Sequence, residues 1–254
     1  MASWFWYGLR NGVRTTGYPR TPEWGPGVSP GRPLDTLFPH AAEAARAAAN
    51  CSVNAITAVD SYAKVDLRKC VYCQRCHFGA PGQLHWDAGF EWTQAHSTQS
   101  EYQPLPGEFL HSLHVIVVDA GDCGACLNEV KQLNNPLYNM HRLGIFFTPT
   151  PRAADVLLVV GPVSENMRGP LVKTYEAMPN PKRVMAVGTC ALTGGVFGRT
   201  FMSAGGLASV LPVDLEVPGD PPPPLAVLHG LLAVTGRKQL SERRTVSQQG
   251  GVSK

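Results

Sequence analysis

Runs of consecutive apolar residues that end in glycine punctuate the second half of the chain. Residues 113–121 (LHVIVVDAG), 154–162 (ADVLLVVGP) and 183–189 (RVMAVGT) have the length and β-branched content of buried strands rather than of helices. Between the second and third runs, residues 166–178 (NMRGPLVKTYEAM) predict a crossover helix. Residues 225–236 (LAVLHGLLAVTG), after the proline run 221–224, predict another. Short strands without polar alternation, separated by helices, imply an α/β fold with a parallel sheet covered on both faces by helices.

The first half is patterned differently. Residues 1–14 predict a short amphipathic helix, with Phe5, Leu9 and Val13 on one face and Trp4 and Trp6 beside them. Residues 15–39 are rich in proline and glycine and read as an extended, irregular segment. The alanine-dense residues 40–50 (HAAEAARAAAN) predict a helix, and 51–82 form a short cysteine-bearing unit. Residues 83–110 hold Trp86, Phe90, Trp92 and Phe109 without a periodicity that assigns them an element. The polar residues 237–254 read as a frayed tail. The expected division is therefore 1–39, 40–110, 111–236 and 237–254.

Composition narrows the function classes. The 254 residues allow one domain or two, at about 100–200 residues per domain. With 44% hydrophobic and 16% charged residues the chain can bury a core, which excludes wholesale disorder. A formal charge of +3 without a basic stripe gives no support to a nucleic-acid partner. No apolar run approaches the roughly 18 residues of a membrane span, and the N-terminus lacks the apolar centre and cleavage site of a secretory signal. There is no internal repeat, no G-x-x-x-x-G-K-[ST] loop and no G-x-G-x-x-G. Seven cysteines is an odd number, and five of them fall in C-x2-C spacing. Without an export signal, that spacing favours metal over disulfides.

Two constellations carry the chemistry. In KCVYCQRCHFGAP, Cys70, Cys73 and Cys76 stand at the C-x2-C-x2-C spacing of bacterial ferredoxins. There the run ends in a fourth cysteine before proline that serves the other cluster; here Ala80 precedes Pro81. The missing local ligand is expected from the end of an earlier run, where Cys51 stands, with Ala41, Ala44 and Ala47 in place of its companions. Cys51, Cys70, Cys73 and Cys76 thus suit a [4Fe-4S] cluster, while tetrahedral zinc is the alternative that four thiolates also permit. His77 adjoins this set and is expected to serve as a surface or hydrogen-bonding residue rather than a ligand. In the second constellation, DAGDCGACLNE puts Cys123 and Cys126 after the first strand, and GTCALTGG puts Cys190 after a later one. Parallel strands gather ligands beyond their carboxyl ends, so the two loops are expected to converge. Gly121, Gly124, Gly188, Gly194 and Gly195 would let backbone approach closely there. The competing reading of Cys190 is a small buried hydrophobe.

Residues 41–81 resemble the two-cluster ferredoxin-type subunits of respiratory complex I and of formate hydrogenlyase-type hydrogenases, with one cluster of two retained. WYGLRNGVRTTGYP (6–19) is similar to the N-terminal stretch of those subunits, which lies along the membrane surface. Residues 112–235 resemble the small electron-transfer subunit of membrane-bound energy-converting [NiFe] hydrogenases and the homologous B subunit of complex I. The likeness is carried by DAGDCGACLNEV, TPRAADVLLVVGPV, KRVMAVGTCALTGGVF and PGDPPPPLAVLHGLL. It implies a flavodoxin-like fold and one [4Fe-4S] cluster on four cysteines. The separation of Cys123 and Cys126 by Gly124 and Ala125 is the hydrogenase-type spacing. Where the family has G-C-P-P, this chain has Gly219-Asp220-Pro221-Pro222, so Asp220 takes the fourth ligand's place. A [4Fe-4S] cluster with an aspartate ligand, a [3Fe-4S] cluster and an empty pocket are the three alternatives. Glu129 either faces a partner subunit or is an acid at a helix N-terminus. Arg152 and Asp155 are expected to form an ion pair, and Tyr138, His141 and Arg142 are candidates for partner contact.

The resemblance implies a non-catalytic electron-relay subunit of a multi-subunit oxidoreductase. Its expected partners are a hydrogenase or complex I-like large catalytic subunit, membrane subunits of the same complex, and a soluble ferredoxin or dehydrogenase as donor. Its expected place is the cytoplasmic face of the cell membrane, as a peripheral protein. The competing functions are a complex I-like quinone-reductase subunit, a flavin-binding flavodoxin-like domain, and a docking paralogue without electron transfer.

Overall fold

The computed structural model describes residues 3–23, 27–78, 83–96 and 102–241. Ala80, Pro81 and the segment 242–254 lie outside them. Helix α1 (Ser3–Asn11) opens the chain and none of its residues is buried. Short pairings follow. Strand β1 (Arg32–Pro33) pairs antiparallel with β5 (Trp86–Asp87). Strand β2 (Thr36–Leu37) joins the hairpin β3 (Ile56–Val59) and β4 (Tyr62–Val65) in a three-stranded antiparallel sheet of order β2-β4-β3. The alanine-rich segment folds as expected into α2 (Ala41–Ala49) and packs on this sheet. Ala44 and Ala47 are fully buried there against Phe38, Ile56, Ala63 and Leu84. Small side chains let helix and sheet approach closely, and they leave no donor atom where the erased ligands were expected. A single turn, α3 (Arg75–Phe78), closes the module.

The larger sheet has six strands. The antiparallel edge strand β6 (Gln94–Ala95) precedes β7 (Leu113–Asp119), β8 (Ile145–Phe147), β9 (Val156–Val160), β10 (Arg183–Val187) and β11 (Leu215–Val217). Their order is β6-β11-β10-β9-β7-β8, with every pair except β6–β11 parallel. The five parallel strands thus follow the 2-1-3-4-5 order of a flavodoxin-like fold, with the switch point between β7 and β9. The expected strands form, while β8 and β11 were not foreseen. One register row carries Val117, Leu158, Met185 and Leu215 across the sheet.

Helices cover both faces. Helices α4 (Ala125–Gln132) and α7 (Pro224–Val234) pack over Val115, Leu158, Met185 and Val217. On the other face α5 (Glu165–Ala177) and α6 (Thr189–Thr193) pack over Leu157, Val159, Val184 and Ala186. Every residue of α7 is buried, which explains why its sequence lacks a polar face. Of the unassigned stretch, Thr93, Tyr102 and Leu105 bond its backbone carbonyls. Trp92, only 1% exposed, donates its indole N–H to the Pro218 carbonyl at 2.7 Å. Leu105 N–H bonds the Val234 carbonyl, and His96 Nδ1 meets Glu216 Oε1 at 2.6 Å beside β6.

The stretch 237–241 is anchored rather than frayed. Ser241 N–H bonds the Thr93 carbonyl, Lys238 pairs with Glu91, and the Gln239 carbonyl lies 3.0 Å from Nε2 of the buried His229. Burial holds the His229 imidazole below its ordinary pKa, so it serves here as a neutral hydrogen-bonding ring.

Trp92 is therefore expected to bear weight that Trp4 does not. Trp92→Ala should cost about 3–5 kcal/mol in unfolding free energy, from the lost core volume and an orphaned carbonyl. Trp4→Ala on exposed α1 should stay within about 0.5 kcal/mol. Denaturant midpoints of the two variants check this, and equal shifts would contradict the assignment of 83–110 to the core.

Candidate metal centres

Cys51 follows α2, Cys70 and Cys73 lie on the loop after β4, and Cys76 sits in α3. The fold brings the four together: they line one cavity, walled by Val53, Ile56, Val65 and Trp86. Tyr72 and Gln74, between the cysteines, take left-handed φ angles of 53° and 61°. Alternating backbone handedness of this kind coils a loop so that its N–H groups point inward. Two such donors reach sulfur: Tyr72 N–H to Cys70 Sγ at 3.4 Å, and Ala55 N–H to Cys51 Sγ at 3.2 Å. Burial pushes the Cys70 thiol up to about 12; the Tyr72 N–H draws it back, and Cys76, Cys51 and Cys73 push it further. Cys76 is pushed up to about 11 by burial and then by Cys73 and Cys51. Cys70 and Cys76 thus feel their fellow cysteines, and a cationic group between them would favour their ionised form.

The second set forms at the carboxyl edge of the parallel sheet. Asp119, Val160, Val187 and Val217 share one register row, and the chain turns into loops just past each. Cys123 lies in the loop after β7, and Cys126 is in the first turn of α4. Cys190 is in the first turn of α6, and Asp220 follows β11. Burial pushes the Cys126 thiol well up, and Asp122, Asp220, Cys190 and Cys123 all push it further. Cys190 is pushed up to about 11 by burial, then by Asp220, Cys123 and Asp122. The Asp220 carboxyl is raised by burial and by Asp122. Three thiols and two carboxylates therefore share one partly buried space, and no cation figures among the groups that shift them.

Backbone makes room for this crowd. A Cβ on Gly188 (φ 88°) would lie 2.4 Å from Cys126 Sγ, and one on Gly195 (φ 56°) would lie 2.7 Å from Cys190 Sγ. Only glycine fits beside these sulfurs, on grounds of space and of backbone conformation. Sequence reading passed over Asp122. Its Oδ2 accepts the N–H groups of Gly124 and Leu127 at 3.0 Å each, while Oδ1 is buried without a partner among the described residues. The signal that could have found it is an aspartate just before C-G-A-C, positioned to bond the N–H two residues on.

Both donor sets fit the soft iron of a sulfide cluster: thiolates, inward N–H groups and glycine clearances. All seven cysteines are free, so none of the gathered thiols is used up in a disulfide. Among the described residues no three His, Cys, Asp or Glu side chains converge closely enough to hold a single metal ion. A cluster asks less of them, because each thiolate binds a different iron.

The remaining candidates find other work. Asp155 accepts His114 N–H at 2.7 Å and faces His114 Nδ1 at 3.5 Å, so its ion partner is His114 and not the expected Arg152. Glu129 sits beyond the first turn of α4, which holds no acid, so the expected helix-terminal role fails. Burial raises its carboxyl, and with it the neighbouring Tyr138 hydroxyl. His141 packs on Phe146, and the Arg142 guanidinium donates to the Tyr18 carbonyl. His77 packs its ring against Phe78 and Trp86, and its Nδ1 is buried without a partner among the described residues.

The family match with known proteins spans the second set. The family described as "NADH ubiquinone oxidoreductase, 20 Kd subunit" matches residues 123–234, a span that starts at Cys123 and includes Cys126, Cys190 and Asp220. An uncharacterized protein of Methanocaldococcus jannaschii is 43% identical over 48% of this chain and 82% of its own length. A probable membrane-bound hydrogenase subunit of Pyrococcus furiosus is 39% identical over 46% of this chain and 71% of its own. Formate hydrogenlyase subunit 7 of Escherichia coli is 38% identical over 49% of this chain, which spans about half of that relative's length. With the sheet order, the loop cysteines and two relatives matched over most of their lengths, the chain belongs to the family of the NADH ubiquinone oxidoreductase 20 kDa subunit.

Proposed function

We propose that this chain is a non-catalytic electron-transfer subunit of a membrane-associated hydrogenase or complex I-like oxidoreductase, with an iron–sulfur cluster at each thiol set. The observation that carries the reading is the gathering of seven free cysteines into two sets, one lining a single cavity and one at the carboxyl edge of the parallel sheet. When bound, a cluster at each set supplies one-electron redox chemistry over a potential range that its ligands and surroundings tune. Cys51, Cys70, Cys73 and Cys76 hold the first. The N–H groups of Ala55 and Tyr72 stabilise charge on its sulfurs. Cys123, Cys126 and Cys190 hold the second, with Asp220 as the fourth ligand. A carboxylate is a harder donor than thiolate, so the iron at Asp220 is held least firmly.

The expected partners are a large catalytic subunit against the Asp220 set, membrane subunits, and a soluble ferredoxin or dehydrogenase as donor to the first set. Names among the relatives support that company. No helix of the described residues is long and apolar enough to cross a membrane. The exposed Trp4, Phe5, Trp6 and Tyr7 of α1 suit attachment at a membrane surface, on the cytoplasmic face. A quinone-reducing complex rather than a hydrogenase is the second reading, favoured by the family's own description.

Three outcomes test these assignments. Cys51→Ser should abolish the first cluster as fully as Cys73→Ser, by iron and acid-labile sulfide content; a normal cluster in Cys51→Ser would overturn the crossed ligation. Mild oxidation of the wild type should yield a [3Fe-4S] signal in electron paramagnetic resonance, and Asp220→Cys should suppress it without unfolding the domain. Low iron at this set, unchanged by that substitution, would mean that Asp220 is no ligand. Deleting residues 1–14 should reduce the membrane-bound fraction of the assembled complex; an unchanged fraction in a flotation assay would sink the surface-anchor role.

A further inference from the structure

The two thiol sets meet across a seam that one short helix holds. Helix α6 begins and ends in threonine, one turn apart, and both hydroxyls face the loop that carries Cys70. Thr189 Oγ1 donates to the Cys70 carbonyl at 2.9 Å and lies 3.2 Å from the Gly219 carbonyl. Thr193 Oγ1 lies 3.2 Å from the Arg68 carbonyl. The Thr189 N–H bonds the Gly219 carbonyl at 2.8 Å. Thr189 is fully buried. It directly precedes Cys190, and Gly219 directly precedes Asp220. One side chain thus touches the backbone of the first set while its own backbone joins both distant members of the second.

Packing alone does not call for a hydroxyl here. Valine has nearly the same shape, and a buried hydroxyl is tolerated only because it is bonded. A further contact across the seam is looser: the Tyr72 and Trp92 rings lie 5.7 Å apart, tilted by 33°, and the Tyr72 hydroxyl is buried without a partner among the described residues. That contact requires a step through space. The Thr189 contact runs by covalent bonds and one hydrogen bond from Cys70, through its carbonyl and the threonine, to Cys190.

We propose that Thr189 is the positioning residue for electron passage between the two thiol sets, fixing their separation and providing the bonded route between them. The inference rests on the reading that each set holds a cluster. In the step, the centre at Cys51, Cys70, Cys73 and Cys76 is oxidised by one electron and the centre at Cys123, Cys126 and Cys190 is reduced by one. No covalent bond forms or breaks and no proton moves; the Thr189 hydrogen bond persists throughout.

The full chain, purified with its clusters, serves for the test, together with Thr189→Val, Thr189→Ser and Thr193→Val. Iron and sulfide are counted, and both potentials are titrated. A photogenerated one-electron reductant then starts equilibration between the centres, which is followed together with their magnetic coupling in paramagnetic resonance. Thr189→Val should keep its iron, slow equilibration several-fold and alter the coupling. Thr189→Ser should restore both, and Thr193→Val should equilibrate as the wild type does. A Thr189→Val chain with full iron and wild-type rate and coupling overturns the inference alone. So does a Thr193→Val chain that is slowed, since general loosening of the seam would then suffice; this arm decides even if Thr189→Val fails to fold. A wild-type chain lacking iron and sulfide in either set overturns the parent reading and the inference with it.

Discussion

Because β7, β9, β10 and β11 run parallel and in register, their carboxyl ends open onto one edge of the sheet, and everything at the second thiol set depends on that geometry. The Cys123–Cys126 pair, Cys190 and Asp220 are far apart in sequence, yet each lies shortly past a strand end or in the helix turn that follows it. An antiparallel sheet would send alternate loops to opposite edges and scatter the same residues. The helices that parallel connection requires also bring their first turns to that edge. Cys126 and Cys190 occupy such turns.

The same convergence creates an electrostatic problem. Burial raises Cys126, Cys190 and Asp220 alike, and each neighbour named beside them adds negative charge if it ionises. Left to themselves the Cys126 and Cys190 thiols keep their protons, because burial and neighbouring negative charge oppose their ionisation. Cluster iron bound there would remove the conflict by placing positive charge among the donors, and its binding would release protons. The first set obeys the same logic with different means. Its N–H donors come from loops, Tyr72 itself in a left-handed conformation and Ala55 just after the left-handed Asn54, not from a helix. The buried Asp122 Oδ1 belongs to the same ledger, as an acceptor facing this anionic space without a partner among the described residues.

What could be read from the sequence follows from range. Strands β7, β9 and β10 are long enough to show as apolar runs, and the cysteine spacings name their chemistry directly. Strands β8 and β11 have three residues each, too few to display a period, and are specified by neighbours they meet only after folding. Residues 83–110 gave no periodicity because they form no long element. Trp92, Leu105 and the two-residue β6 are held by bonds to Pro218, Val234 and Glu216, all distant in sequence. The expected Arg152–Asp155 pair failed for a related reason: adjacency in the chain suggested it, while the sheet presented His114 to Asp155 instead. Thr189 looked unremarkable for the same cause, since its partner Cys70 lies in the other half of the chain.

The seam between the halves gives these contacts a common purpose. Where two redox modules sit on separate subunits, their spacing is set at an interface that must assemble and can loosen. Here Thr189 and Thr193 bond the carbonyls of Cys70 and Arg68, and Trp92 spans from Tyr72 to Pro218. The N-terminal segment is stitched to the same domain by the Thr16 N–H to the Leu137 carbonyl and by Arg142 to Tyr18. These bonds lie in buried or half-buried surroundings, where hydrogen bonds are strong and costly to leave unmade. The spacing of the two thiol sets is thus a property of the folded chain. On the proposed function, partners would have to supply only the two ends of the path, a donor at the first set and an acceptor at the second.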